Sequence, residues 1–448
     1  MTNGSIETAP SRRRKPRFRH HANRFPLTTI VALVGALLLA ACSSSPSATP
    51  RATPKTSPTT NVPRSTLSPI PSLASTTLTT IAFFDPTTGY GGFTRSEPGG
   101  RQCEYLVGMT ADGGKQFGSL VTVTSWACDA AIAPNFIQPP SSLTFDNHGD
   151  GFSYDPQLFV THDGGQSWTA SPQPGTVLSV AALGQSVWMA ETDCPINAPP
   201  STTGCPIGLL ESSNGGRSWA PSPMQPPGAT VSALGFNTGS IANGQTWLVR
   251  TSPTSAYVLA SPVFNPTGTT SVAAMWFTAN GGASWSERTV PCGISAMSVV
   301  LSSAPDGSLT AVCATQPGAG NQIKSTVHST DGGQTWAVHL TCSPSSITCT
   351  SNPSSNPSAG GYVGEIDALS GNVAFLVGDR NSVQVTRNSG VNWAPVQPVI
   401  GDTAGGPTQL IFFDGSNGVV LGNGNGGPTI WSTSDGGAHW SSTIPKAA

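Results

Sequence analysis

The sequence predicts an all-β fold, a seven-bladed β-propeller of four-stranded antiparallel blades, on three observations. A short turn pattern, Ser/Thr-x-Asp/Asn-Gly-Gly followed three residues later by Trp, recurs seven times, with Phe117 in place of Trp in the first copy and Ser389 in place of the first Gly in the sixth. Apolar strand signals fill the intervals, about four to each. Gly (51) and Pro (40) together exceed a fifth of the 448 residues, and charged residues supply only 9%. Gly and Pro interrupt helices and suit short strands joined by turns.

Taken in order, the chain opens with an export signal. Arg12, Arg13, Arg14, Lys15, Arg17, Arg19 and Arg24 form a positive region, and Leu27 to Ala41 is apolar but short for a membrane span. The stretch ends in Leu39-Ala40-Ala41-Cys42, which resembles the bacterial lipobox. The resemblance implies a signal peptide over residues 1–41 and a diacylglycerol on the Cys42 sulfur. Two or three acyl chains would then hold the protein at the outer, extracytoplasmic side of a bacterial cell membrane. From residue 42 to 74 the chain is almost entirely Ser, Thr, Pro and Ala. Such a segment has no apolar face to bury and is expected to be disordered. In polyproline II form, at roughly 3.1 Å per residue, it would hold a domain some tens of Å from the bilayer.

Seven of the 20 basic residues precede Cys42, against one acidic residue, Glu7. The remainder therefore carries 13 basic and 21 acidic groups, a formal charge of 13 − 21 = −8. A mildly acidic domain without a basic patch offers nothing to a phosphate backbone, so no nucleic-acid partner is expected.

Residues 75–448 form the predicted propeller. Its repeats are centred on Asp112, Asp163, Asn214, Asn280, Asp331, Asn388 and Asp435, at spacings of 51, 51, 66, 51, 57 and 47. The pattern carries turn chemistry. Asp or Asn accepts backbone N–H groups just ahead of it, glycine supplies a positive φ, and the Ser or Thr hydroxyl bonds back across the turn. The aromatic five residues after the Asp or Asn leaves the turn at a fixed offset and can wedge between neighbouring sheets. Six of the 11 tryptophans fill this slot (Trp168, Trp219, Trp285, Trp336, Trp393 and Trp440), and Phe117 fills the seventh. These residues are identified as the Asp box, or BNR repeat. The resemblance implies a turn joining the third and fourth strands of a blade, at the periphery, so the acidic row is read as structural rather than catalytic or metal-binding.

Inner strands are expected where an apolar run ends in Asp, as at 78–85, 142–146 and 409–414. Gly-rich turns and second strands follow, as at 89–93 and 418–422. Blades are placed at 77–128, 140–173, 177–223, 229–291, 295–342, 361–398 and 406–445. A six-bladed ring would require one interval to be spurious, yet each has its own inner strand and box. Closure by an N-terminal strand is not required by this count.

Eight cysteines remain besides Cys42: Cys103, Cys128, Cys194, Cys205, Cys292, Cys313, Cys342 and Cys349. An even number in an exported chain implies disulfides, with 105 pairings open. Proximity favours Cys194–Cys205 and Cys342–Cys349; Cys103–Cys128 would staple the first box hairpin, and Cys292–Cys313 remains. No close pair has zinc-ligand spacing. No metal or cofactor is expected.

Two groups of Asp-box propellers bear on function. The run Phe-Asp-x-x-x-Gly at 84–89 and 413–418 resembles the photosystem II assembly factor group, which with sortilin-type domains is non-enzymatic. Sialidase-like glycosidases are the alternative. That resemblance implies paired carboxylates, or an arginine cluster for sialic acid, and an Arg-Ile-Pro motif that this sequence lacks. The arginines beyond residue 75 number seven, and Arg217 and Arg387 lie within boxes. Glu365 and Asp367, two apart on one strand, should face the same way and are the first choice for a glycosidase acid–base pair; the plain alternative is that they are hydrated channel-lining groups. Glu191 and Asp193 form a second pair, assigned to a loop. The expectation is a monomeric, lipid-anchored binding or assembly module for a protein or glycan, with glycoside hydrolysis as the alternative.

Overall fold

The computed structural model describes residues 76–447, apart from 97–101, 129–139, 147, 194–204, 232–246, 261–272, 293–295, 316–321, 340–359, 381, 397–406 and 425. The export signal, the linker, Cys42, Cys194, Cys342 and Cys349 lie outside these residues.

Seven four-stranded antiparallel sheets follow one another along the chain, each with its strands in sequence order; in blade 1 the two-residue strand Gln116–Phe117 lies outside the four. Their innermost strands are Thr76–Phe83, Ser142–Phe145, Thr176–Leu183, Leu248–Arg250, Ala296–Ser303, Gly360–Ala368 and Pro407–Phe412. Each touches the next and the last touches the first, which closes the ring. The fold is a seven-bladed β-propeller.

The boundary of the fourth blade differs from expectation. Thr230–Val231 pairs back onto Cys205 and Pro206 of blade 3, and the described inner strand of blade 4 begins at Leu248. The outer strand of blade 3, Ala220–Pro221, covers only Leu210 and Glu211. It leaves the start of the third strand for a returning segment to cap.

The core is divided into seven apolar clusters, one in each seam between blades. This division follows from the architecture, because a twisted four-stranded sheet buries both faces only against its two neighbours. Each seam takes one aromatic from a box turn. Trp393 packs among Val312, Val363 and Leu376 between blades 5 and 6. Phe117 packs on Phe93, Val419 and Leu421 where blade 7 meets blade 1. The seven aromatics are not equivalent wedges, however. Phe117 (2% exposed) and Trp393 (6%) are fully buried, while the other five tryptophans keep part of one edge in solvent.

All seven box turns share one hydrogen-bond lattice and join the third strand of a blade to its outer strand. In the fifth, Ser329 donates its hydroxyl to Asp331 Oδ1 (2.8 Å) and accepts the Gly333 N–H (2.8 Å), while Asp331 Oδ1 accepts the Thr335 N–H (2.9 Å). In the first, Thr110, Asp112, Gly114 and Gln116 repeat these contacts at 3.0 Å each. The sixth turn departs in sequence, with Ser389 where the others have glycine. Ser389 adopts φ 61°, and its hydroxyl is tied to the Gly371 carbonyl and Asn372 Oδ1 (2.7 and 3.0 Å). Those bonds offset the steric cost of a left-handed non-glycine residue.

The four strands of blade 7 come from one stretch of chain, Pro407–Phe412 through Ser441–Thr443. Blade 7 packs on blade 1 through the cluster containing Phe117, and the C-terminal strand Lys446–Ala447 pairs in parallel with Gln116–Phe117. Cys103–Cys128 and Cys292–Cys313 form disulfides with Cα atoms 5.1 and 5.6 Å apart. The first ties the third and outer strands of blade 1; the second ties the end of blade 4 to blade 5. Cys205 is disulfide-bonded as well.

Candidate functional site

An inner propeller strand has one edge without a strand partner, so its N–H groups must find acceptors elsewhere. Here side chains of the preceding blade supply them. Ile81 N–H is taken by Gln409 Oε1 (2.8 Å), Val363 N–H by Gln322 Oε1 (2.8 Å) and Ala368 N–H by Ser302 Oγ (3.0 Å). Val180 N–H bonds the phenol of Tyr154.

Glu365 and Asp367 belong to this set. Both lie on the inner strand of blade 6 and share a face, as their alternate spacing requires. Glu365 Oε2 accepts the Leu410 N–H at 3.1 Å, and Asp367 Oδ2 accepts the Phe412 N–H at 2.8 Å. Two carboxylates two residues apart thus meet two N–H groups two residues apart. The pair acts as a side-chain ladder onto the inner strand of blade 7. Gln409 also bonds Glu365, so one polar chain runs from blade 6 through blade 7 to Ile81 of blade 1.

Glu365 is exposed at the surface, yet protein packs closely around its carboxyl. Burial pushes it up to about 7, with the charge of Asp367 adding and the bonds from Leu410 and Gln409 opposing. Burial likewise pushes Asp367 up to about 6, against the bond from Phe412. Asp155, at the end of the second strand of blade 2, rises to about 6 by burial while accepting the Ser141 hydroxyl at 2.7 Å. Burial carries Tyr154 to about 12, and the charges of both Asp155 and Glu365 contribute. Tyr154 on blade 2 thus feels the charge of Glu365 on blade 6, although the two blades are not neighbours in the ring. Three carboxyls, Glu365, Asp367 and Asp155, thus have their ionisation held back toward neutral pH by burial.

No arginine cluster accompanies them among the described side chains. Arg95 pairs with Glu104 (2.6 Å), and Arg217 reaches Asp150 (3.4 Å) and the Asn214 carbonyl (2.9 Å). Arg250 lies over Trp188 and bonds the Ser186 carbonyl (2.7 Å). Arg288 stacks on Phe277 and bonds the Gly332 carbonyl, and Arg387 bonds the Gly436 carbonyl (2.9 Å). Each is spent locally, on five separate parts of the ring. No group of three or more His, Cys, Asp or Glu suited to a metal occurs among the described residues.

The second carboxylate pair is placed differently from expectation. Glu191 lies within the strand Ser186–Thr192 rather than a loop, and Asp193 directly follows it. Both line a cavity of about 520 Å³ beside Pro206, Pro226 and Pro227. Sequence reasoning missed Asp155 and Tyr154 altogether. Neither belongs to a motif, and the influence of Glu365 on Tyr154 depends on the closed ring.

No protein-family model matches the chain, and no curated protein matches it in sequence. Among solved structures it is similar to YCF48 bound to a D1 peptide, at 17% identity over 82% of this chain and 95% of the other, with a TM-score of 0.48. An ancestral GH74 enzyme is similar at 12% identity over 85% of this chain and 47% of the other (TM-score 0.48). A Hadza microbial sialidase is similar at 12% identity over 83% and 66% (TM-score 0.34). By its own strand order and closed ring of inner strands, the chain is a seven-bladed β-propeller.

Proposed function

We propose that the chain is a membrane-anchored, extracytoplasmic binding or assembly module whose propeller recognises a protein or glycan without turning it over. One observation carries this reading. The carboxylate pair a hydrolase would use is committed to the backbone of blade 7, Glu365 at 3.1 Å from Leu410 N and Asp367 at 2.8 Å from Phe412 N. A catalytic carboxyl needs an oxygen free to reach substrate and a partner across the scissile bond. These two each give one oxygen to the inner strand of blade 7, which holds neighbouring blades together. The dispersal of the described arginines supports the same reading, because clamping a substrate carboxylate calls for convergent guanidinium groups. Anchoring through Cys42 rests on the lipobox-like sequence.

A second reading, glycoside hydrolysis, is favoured by the elevation of Glu365 to about 7, which suits a general acid near neutral pH. Full-length protein incubated with sialyl, xyloglucan and chromogenic β-glucoside substrates separates the two. No turnover is expected, together with selective retention on a glycan or peptide array. Hydrolysis that disappears in Glu365→Gln/Asp367→Asn would overturn the binding-module reading.

A further inference from the structure

The groove on blade 3 has a composition of its own. Glu191 sits on the second strand, directly opposite Gly208 of the third strand Cys205–Ser212. Because Gly208 has no side chain, the strand leaves open space beside the Glu191 side chain. A Cβ there would meet Glu191 Cγ at 3.7 Å and Oε1 at 4.0 Å. The carboxyl receives one bond, from the backbone of Gly175, while Oε2 is buried with no hydrogen-bond partner. An unpaired carboxylate oxygen withdrawn from water costs stability until a donor reaches it. Asp193 stands exposed two residues on, and no ion pair among the described residues involves either carboxylate. Pro206, Pro226 and Pro227 supply rigid apolar walls around the same cavity of about 520 Å³.

We infer that this groove receives a lysine or arginine side chain of a polypeptide partner. The inference rests on the binding-module reading and gives it a place and a chemistry. An alkyl stem lies along proline rings while its cationic head pairs with the carboxylates of Glu191 and Asp193. A bare metal ion fits less well, since it calls for more oxygen ligands than two carboxylates and finds no use for apolar walls. The formal charge of −8 beyond Cys42 would steer such a segment toward the domain. The groove wall is also firmly built. Ile207 N–H bonds the Ala229 carbonyl (2.9 Å), Leu209 N–H bonds Gln225 Oε1 (2.6 Å), and Cys205 at the head of the strand is disulfide-bonded.

The test uses the full chain and three pools of random nonapeptides with lysine, arginine or norleucine fixed at the centre. Norleucine keeps an alkyl stem and removes the charge. The lysine and arginine pools should be retained at least tenfold better than norleucine, and added salt should narrow the gap. Glu191→Gln/Asp193→Asn should reduce all pools to the norleucine level, with Glu287→Gln on blade 4 as the unaffected control. Asp193→Asn alone, at an exposed position, serves if the double variant folds poorly, and should lower retention of the charged pools severalfold. Equal retention of the three pools, or undiminished binding by these variants, overturns the groove assignment and leaves the binding-module reading standing. Failure of every peptide pool beside selective glycan retention overturns only the groove. Failure of both peptides and glycans overturns both.

Discussion

Truncating Trp393 to Ala tests the claim that box aromatics hold the blades together. Trp393 is 6% exposed and packed in the seam between blades 5 and 6, and it donates its indole N–H to Thr326 Oγ1 at 2.9 Å. Deleting a large buried aromatic costs roughly 3–5 kcal/mol. The Thr326 hydroxyl, itself fully buried, also loses its donor, a further loss of about 1 kcal/mol that places the variant at the upper end of that range. Trp336 provides the internal comparison. It occupies the same slot one blade earlier but is partly exposed, and its indole nitrogen is buried without a partner. Trp336→Ala removes less buried area and relieves one unpaired donor, so about 2 kcal/mol is expected. Trp393→Phe keeps most of the ring and loses the hydrogen bond, for about 1–2 kcal/mol. Urea unfolding of the full chain, read by far-ultraviolet circular dichroism, gives midpoints in the order wild type, Trp393→Phe or Trp336→Ala, then Trp393→Ala. Equal losses for Trp336→Ala and Trp393→Ala would refute the argument from burial. An unchanged midpoint with lost ligand binding would make the boxes a functional surface.

Three further outcomes follow from the same contacts. Cys42→Ala should release the protein from the membrane fraction or block its processing; a variant that stays membrane-bound at mature size would sink the lipobox reading. Glu365 and Asp367 are raised in the fold to about 7 and about 6 from ordinary values of 4.5 and 3.8. The folded state therefore binds more protons across that window, and wild type should lose stability relative to Glu365→Gln/Asp367→Asn as pH rises from about 4 to 7. Melting temperatures at intervals between pH 4 and 8 check this, and a relative gain of wild-type stability over that span would contradict the assignment. Cys103→Ala/Cys128→Ala opens a link of sequence separation 25. Loop entropy alone puts the loss at about 3.5 kcal/mol, read as a lower urea midpoint under oxidising conditions, and no shift would mean the staple is idle.

The boxes were legible because their chemistry is local. Ser329, Asp331, Gly333 and Thr335 complete their lattice within seven residues, so a string of letters is enough to show the turn. The carboxylate pair was half legible. Alternation along a strand says that Glu365 and Asp367 share a face, but their acceptor role depends on Leu410 and Phe412, each 45 residues further on. The start of blade 4 was misplaced because an apolar run such as Thr230–Val231 can pair forward or backward, and the short outer strand of blade 3 left the backward partner open.

What the sequence determined by itself was the blade count, the strand-and-turn content and the position of every box, since each is set by contacts spanning a few residues. Only the tertiary structure decided which box aromatics are buried, which side chains serve the free edge of the inner strands, and that the charge of Glu365 on blade 6 reaches Tyr154 on blade 2. The physical reason is closure. A propeller ring brings together residues from blades far apart in sequence, and the surroundings of a side chain in a seam or at the axis are fixed by its neighbours around that ring. No local pattern encodes those neighbours.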